Sequence, residues 1–181
     1  MPPYYRKEEI LHEGKRYRLH NNYLTIGGGI LWSSIRGSEQ RNIGADYNFH
    51  IRKNYFQAGL MMSGPQFLSN NNVQAHLGYG LRKETVKTNF AAYAGATWFT
   101  GVVGRTDSVG NSVPQYYSGV GFYISGQAVT KFTYDIGIGM EVFAELNSQQ
   151  SIAGFKVILF FSGAYRGLKQ KYNPNVRAEN P

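Results

Sequence analysis

From Thr133 to Glu145 the even positions are Tyr134, Ile136, Ile138, Met140, Val142 and Ala144, while the odd positions are mostly polar residues or glycine. Such a period of two belongs to a β-strand with one apolar and one polar face. Seven further stretches alternate in the same way, which predicts eight strands at about 22–35, 42–52, 55–66, 72–82, 86–103, 114–129, 131–145 and 152–166. In most of them the polar face also carries the glycines, among them Gly44, Gly59, Gly78, Gly95, Gly121 and Gly139. Glycine weakens a strand, and a polar face free in water has no steric need for it. The polar face is therefore the crowded one, and the apolar face points out. The pattern predicts an all-β, eight-stranded antiparallel up-and-down transmembrane β-barrel with an inside-out core.

Parity constrains the pairing, because partners across a hairpin point to the same side. Placing a turn at Lys53-Asn54 pairs Arg52 with Tyr55 and sets His50 opposite Gln57. In the last hairpin, pairing Glu145 with Ile152 brings Glu141 opposite Lys156 and predicts a salt bridge between them. The connections predicted at one end are 36–41, 67–71, 104–113 and 146–151; those at the other are 53–54, 83–85 and Thr130 alone. Long loops outside and tight turns in the periplasm are the outer-membrane arrangement, which would put both termini in the periplasm. The expected organisation is an N-terminal periplasmic extension over 1–21, a barrel over 22–166 and a C-terminal periplasmic tail over 167–181.

The outward set carries no charge. Its aromatic members form two expected interface girdles, Trp32, Trp98 and Tyr116 toward the outer rim, and Tyr79, Phe132, Tyr134 and Tyr165 toward the periplasmic rim. The expected lumen network is Asp46, His50, Arg52, His76, Arg82, Asp135, Glu141 and Lys156. Charges in so narrow a space must pair, since an isolated buried charge costs several kcal/mol. Eight strands leave an interior filled by its own side chains, so the lumen is read as plugged rather than conducting.

Composition adjusts this picture in a few places. The 181 residues suit one domain, and 22 Gly with 14 Tyr, 11 Phe and 2 Trp favour sheets and membrane interfaces. The negative mean hydropathy says little, because a barrel spends only alternate residues on lipid. No cysteine is present, which removes thiol catalysis, thiolate metal sites and disulfides together. The net charge of +8 lies largely in the terminal segments, which argues against a nucleic-acid surface. The first residues have no apolar leader core, so the chain reads as a mature form, its leader cleaved or its start Met supplied. The four histidines have no metal-ligand spacing, and no cofactor is expected.

The chain resembles the small eight-stranded barrels of Gram-negative outer membranes, the OmpA transmembrane domain and OmpX class. Its last strand, Gly154-Phe155-Lys156-Val157-Ile158-Leu159-Phe160-Phe161, is similar to the aromatic-rich signal by which the barrel-assembly machinery recognises its clients. The resemblance implies an outer-membrane location. It covers about residues 22–166 and departs from the usual pattern in the polar tail Gly167 to Pro181.

Three functions compete. The first is a non-enzymatic structural or accessory subunit of a larger envelope assembly, contacting outer-membrane lipid and a periplasmic or outer-membrane protein. The second is a lipid-modifying enzyme, an acyl hydrolase or transferase, with Ser63, His76 and Glu145 as the nucleophile and base candidates. The third is a soluble lipocalin-like binder, which needs the apolar face inside. The tails favour the first, because a barrel alone does not need them and segments of this composition are expected to be disordered unless held. The basic strip Arg166, Lys169, Lys171, Tyr172 and Arg177 is the expected partner-binding element, with Tyr172 as its aromatic anchor.

Overall fold

The structure is a computed structural model that describes residues 9–12, 15–18, 21–34, 39–65, 72–106, 112–163 and 165–168. All regular elements among them are strands. Two short ones, β1 (Glu9–His12) and β2 (Lys15–Arg18), precede eight longer ones, β3 (Tyr23–Ser33), β4 (Glu39–Ile51), β5 (Asn54–Gly64), β6 (Asn72–Glu84), β7 (Thr88–Thr106), β8 (Ser112–Lys131), β9 (Ile136–Asn147) and β10 (Ser151–Ser162). A last short strand, β11 (Tyr165–Leu168), follows them. Each of β3 to β10 pairs antiparallel with its sequence neighbours, and β10 pairs with β3 to close the barrel. Closure removes both sheet edges.

The faces follow the alternation. Leu60, Leu77, Val120, Val142 and Leu159 stand exposed on the outer wall, while Asp46, Asn48, Gln57, Gln74 and Lys156 are buried inside. The soluble lipocalin-like arrangement is thereby overturned. Glycine makes room for the interior where the strands crowd: a side chain at Gly59 would collide with Asp46 Oδ1 and the His76 ring, and one at Gly80 would strike the Tyr93 ring. The Gly27-Gly28-Gly29 run lies within β3, where Gly29 approaches the β10 backbone too closely for a side chain.

Three features correct the expectations. The hairpin from β4 to β5 turns at Arg52-Lys53, with Ile51 opposite Asn54 and His50 opposite Tyr55. Arg52 adopts a positive φ of 58° there, the conformation of tight hairpin turns. The register thus differs from the expected one by two residues, an even shift that leaves the strand side chains on their predicted faces while Arg52 passes into the turn. Several strands run further than expected, β7 as far as Thr106 and β8 from Ser112, while the turn after β8 lengthens to 132–135.

The third correction concerns the ends. The barrel wall stops at Ser162, and Tyr165 and Arg166, expected in its last strand, lie in β11 instead. β1, β2 and β11 form a separate antiparallel sheet in the order β1-β2-β11. Ile10 pairs with Tyr17, and Tyr17 with Tyr165. Residues 9–12 and 15–18, expected to lack regular structure, are therefore ordered by each other and by the chain leaving the barrel.

Candidate functional site: a locked lumen inside an apolar wall

The centre of the lumen is a charge layer between two apolar clusters. Leu31, Met61, Tyr123, Phe143 and Ile152 pack on the side away from the termini, and Tyr23, Val129, Ile158 and Phe160 on the side toward them. Between them Lys156 Nζ lies 2.9 Å from Asp46 Oδ2 and 3.1 Å from Glu141 Oε1. Asp46 Oδ1 is 2.9 Å from His76 Nε2. His76 stacks on Tyr123 at 4.1 Å between centroids, and the Tyr123 hydroxyl donates to Glu141 Oε1 at 3.0 Å. Every ionic member is nearly fully buried, so each charge depends on its neighbours for what water would otherwise supply.

A second layer lies at the end that holds the termini. Arg82 donates to Glu84 Oε2 at 2.6 Å, to Asn89 Oδ1 at 2.7 Å and to the Asn21 carbonyl at 2.6 Å. Lys131 closes on the other Glu84 oxygen. Arg82 also sits 4.4 Å over the Tyr23 ring, and Lys131 sits 4.0 Å over that of Tyr134. The Tyr23 hydroxyl donates to Gln127 at 2.8 Å, and Gln127 donates onward to Glu141 at 2.9 Å. The two layers are thus joined into one column, by hydrogen bonds from Tyr23 to Glu141 and by the Arg82 guanidinium over the Tyr23 ring. Tyr17 of the terminal sheet lies on Tyr134 at 4.9 Å between centroids, and both are buried. Burial, reinforced by the Glu84 carboxylate, holds the Tyr134 hydroxyl pKa above its usual value.

Of the expected network, Asp46, His76, Glu141 and Lys156 meet in the central layer, and Arg82 belongs to the second. His50 is half-buried near the turn with its ring 6.3 Å from Tyr55. Arg52 is exposed in the turn and has left the lumen. Asp135 lies in the 132–135 turn and accepts from Ser162 Oγ at 2.9 Å. Glu84 falls in the segment 83–85 expected as a turn, and continuing the alternation from Arg82 would have found it; Lys131 opens the expected strand 131–145 on its polar face without having been assigned to the network.

Among the aromatic residues, Trp32, Trp98, Tyr116, Tyr79 and Phe132 are exposed on the outside. Tyr116 and Trp32 lie toward the far end, Trp98 stands midway along β7, and Tyr79 reaches Asn54 of the near turn at 3.3 Å. Tyr134 is corrected: it is fully buried, because the strand phase ends at Lys131 and the following turn folds its ring under the barrel. Of the basic strip, Arg166 lies in β11, while Lys169, Lys171, Tyr172 and Arg177 lie outside the described residues.

The hydrolase candidates do not come together. Ser63 is paired with Asn72, whereas the partner of His76 on that strand is Gly59, four residues away, or about 13 Å along the strand. Glu145 accepts from Asn147 at 2.8 Å. A nucleophile and its base must lie within about 3 Å, and His76 is already committed to Asp46. Among the described residues no three His, Asp or Glu side chains converge as metal ligands.

A closed ring of eight antiparallel strands with buried charges inside and exposed aliphatic residues outside is a membrane-barrel arrangement. Comparison with solved structures agrees. Neisserial surface protein A is similar with a TM-score of 0.60 at 8% identity, over 78% of this chain and 96% of that one. The chain has the fold of the small outer-membrane barrels. The N-terminal barrel domain of Pseudomonas aeruginosa OprF gives a TM-score of 0.55 at 13% identity, over 78% of this chain and 98% of that one. The attachment invasion locus protein Ail of Yersinia pestis gives 0.50 at 8% identity, over 81% and 99%. The sequence matches no family model and no curated protein.

Proposed function

We propose that this protein spans a bacterial outer membrane as a closed, non-enzymatic barrel with both termini in the periplasm, and that it serves as a structural, accessory subunit of a larger envelope assembly. The observation that carries this reading is the pairing of a lipid-compatible wall, apolar between its rims, with a lumen locked by the column from Arg82 to His76 and covered by the terminal sheet. Among the described residues this column crosses the middle of the lumen, which speaks against a conduction path. That leaves the wall, the far-end loops and the terminal segments as working surfaces. The basic residues Arg166, Lys169, Lys171 and Arg177 with Tyr172 remain the proposed contact to a periplasmic or membrane partner.

The test has three parts. Outer-membrane fractionation and heat-modifiable migration on SDS gels should show an inserted barrel. Planar-bilayer recordings should show no conductance steps. Deleting residues 169–181 should leave both results unchanged while releasing proteins that co-purify with the full chain; co-purification at unchanged stoichiometry removes the tail from the interface.

A further inference from the structure

The outer wall is not uniformly filled. At the end that holds the termini, a recess of about 510 Å³ opens between Leu81, Phe90, Met140 and Val142, floored by Ala92 and Ala128. Its neighbours Gly126 and Val142 also border a recess of about 410 Å³ that reaches Ile124 and Ala144. Ala144 in turn borders a third, of about 390 Å³, against Trp32 and Leu146. The first two, which share Gly126 and Val142, make one furrow along the β8–β9 seam. From Ala128 to Ile124 alone it rises about 13 Å, close to half of a hydrocarbon core of roughly 30 Å.

Two independent observations point to an occupant. Gly126 faces outward, and a side chain there would meet only Val142 Cγ2, at an ordinary 3.7 Å. The inward Gly95 and Gly139, by contrast, abut strand backbone too closely for any side chain. Packing within this chain therefore does not require glycine at 126, where it weakens the strand and keeps the furrow open. The second observation is Lys83. It is exposed and outward at the near mouth of the furrow, opposite Phe90 in the ladder. An ammonium at the head of a linear apolar furrow is complementary to an amphiphile with an anionic head and a hydrocarbon tail.

We infer that the furrow binds one anionic phospholipid of the periplasmic leaflet, an acyl chain lying over Gly126 and Ala128 and the phosphate on Lys83. The inference rests on the membrane orientation proposed above. Native mass spectrometry of the full chain in detergent, with phosphatidylglycerol and phosphatidylcholine at equal concentration, tests it. The wild type should retain one phosphatidylglycerol in about fivefold preference, the effect of one cation at a headgroup. Gly126→Leu/Ala128→Leu, or Ala128→Ile alone should the double variant not fold, should abolish retention. Lys83→Gln should keep a bound lipid and lose the preference. Equal retention by wild type and filled variants overturns the site, as does an undiminished preference in Lys83→Gln or a dimer that the filled variants dissolve. Vesicle insertion of the same samples separates the two readings: a chain that never inserts refutes the membrane reading, and one that inserts but retains no lipid refutes the furrow alone.

Discussion

Glu141 and Lys156 face each other across the β9–β10 ladder, and their charged ends meet at 3.1 Å inside the lumen. Lys156 is shared, because Asp46 approaches the same ammonium at 2.9 Å. The two acids are therefore not equivalent to the base. Lys156→Met leaves two buried carboxylates without their cation and should cost about 3–5 kcal/mol. Glu141→Gln keeps the Lys156–Asp46 pair, retains an acceptor for Tyr123, and should cost clearly less. Urea unfolding in lipid vesicles measures both. Equal losses would show that Asp46 does not share the lysine.

The lower charge layer inverts this stoichiometry, with one acid, Glu84, between two cations, Arg82 and Lys131. Glu84→Gln should destabilise more than Lys131→Met, since the first strands two cations and the second leaves the Arg82–Glu84 pair intact. Where desolvation is complete the difference should reach about 1–3 kcal/mol. The same unfolding assay decides it, and the reverse order would place the weight of the layer on Lys131.

Inward glycines should reject side chains according to what lies above them. A methyl group at Gly95 would meet the Leu77 carbonyl and the Gly78 Cα at 2.7 Å, both backbone. At Gly78 it would meet the Tyr93 Cβ at 3.1 Å, a milder contact. Gly95→Ala should therefore cost more than Gly78→Ala, within the roughly 1–3 kcal/mol range of overpacking. Refolding yield and unfolding midpoint in lipid give the comparison; equal tolerance would mean that the wall yields at β7.

Most of the wall was legible because a period of two survives errors of register. Placing the hairpin turn at Lys53-Asn54 instead of Arg52-Lys53 moved the pairing by two residues, and no side chain within the paired strands changed face. Mid-strand residues such as Asp46, His76, Glu141 and Lys156 were accordingly read in the lumen, and the structure brings them together. That legibility ends where alternation stops. Arg52 and Tyr134 sit in turns, whose dihedrals reset the phase, and there the expected faces were wrong. Glu84 lies at a strand end and was lost to the same uncertainty. The terminal sheet left no readable signal, since its four-residue strands are polar and β2 meets β11 across almost the whole chain.

The outward assignment is exposed to a direct attack at Leu77, which is 58% exposed on the wall. An arginine near the bilayer midplane of a barrel costs about 2–4 kcal/mol, and close to nothing near the interface. Leu77→Arg should lose that amount in a vesicle refolding assay, while Lys83→Arg at the rim should lose almost none. Normal folding of Leu77→Arg in lipid, with soluble protein obtained in the absence of detergent, would reverse the assignment of inside and outside.

The terminal sheet should act as a lid with its own local stability. Tyr17 is the residue that covers Tyr134, and Tyr134 in turn lies over the Lys131 ammonium. Tyr17→Ala should remove an aromatic contact worth about 0.5–1.5 kcal/mol beyond its area. The barrel should still close, because the ladders from β3 to β10 do not involve the sheet. The loss should thus be local: amide exchange should accelerate in β2, β11 and the 132–135 turn while mid-strand amides of β4 and β9 keep their protection. Exchange that rises uniformly through the barrel would mean that the sheet is an integral part of the cooperative unit, and unchanged exchange everywhere would mean that Tyr17 does not cover the lumen at all.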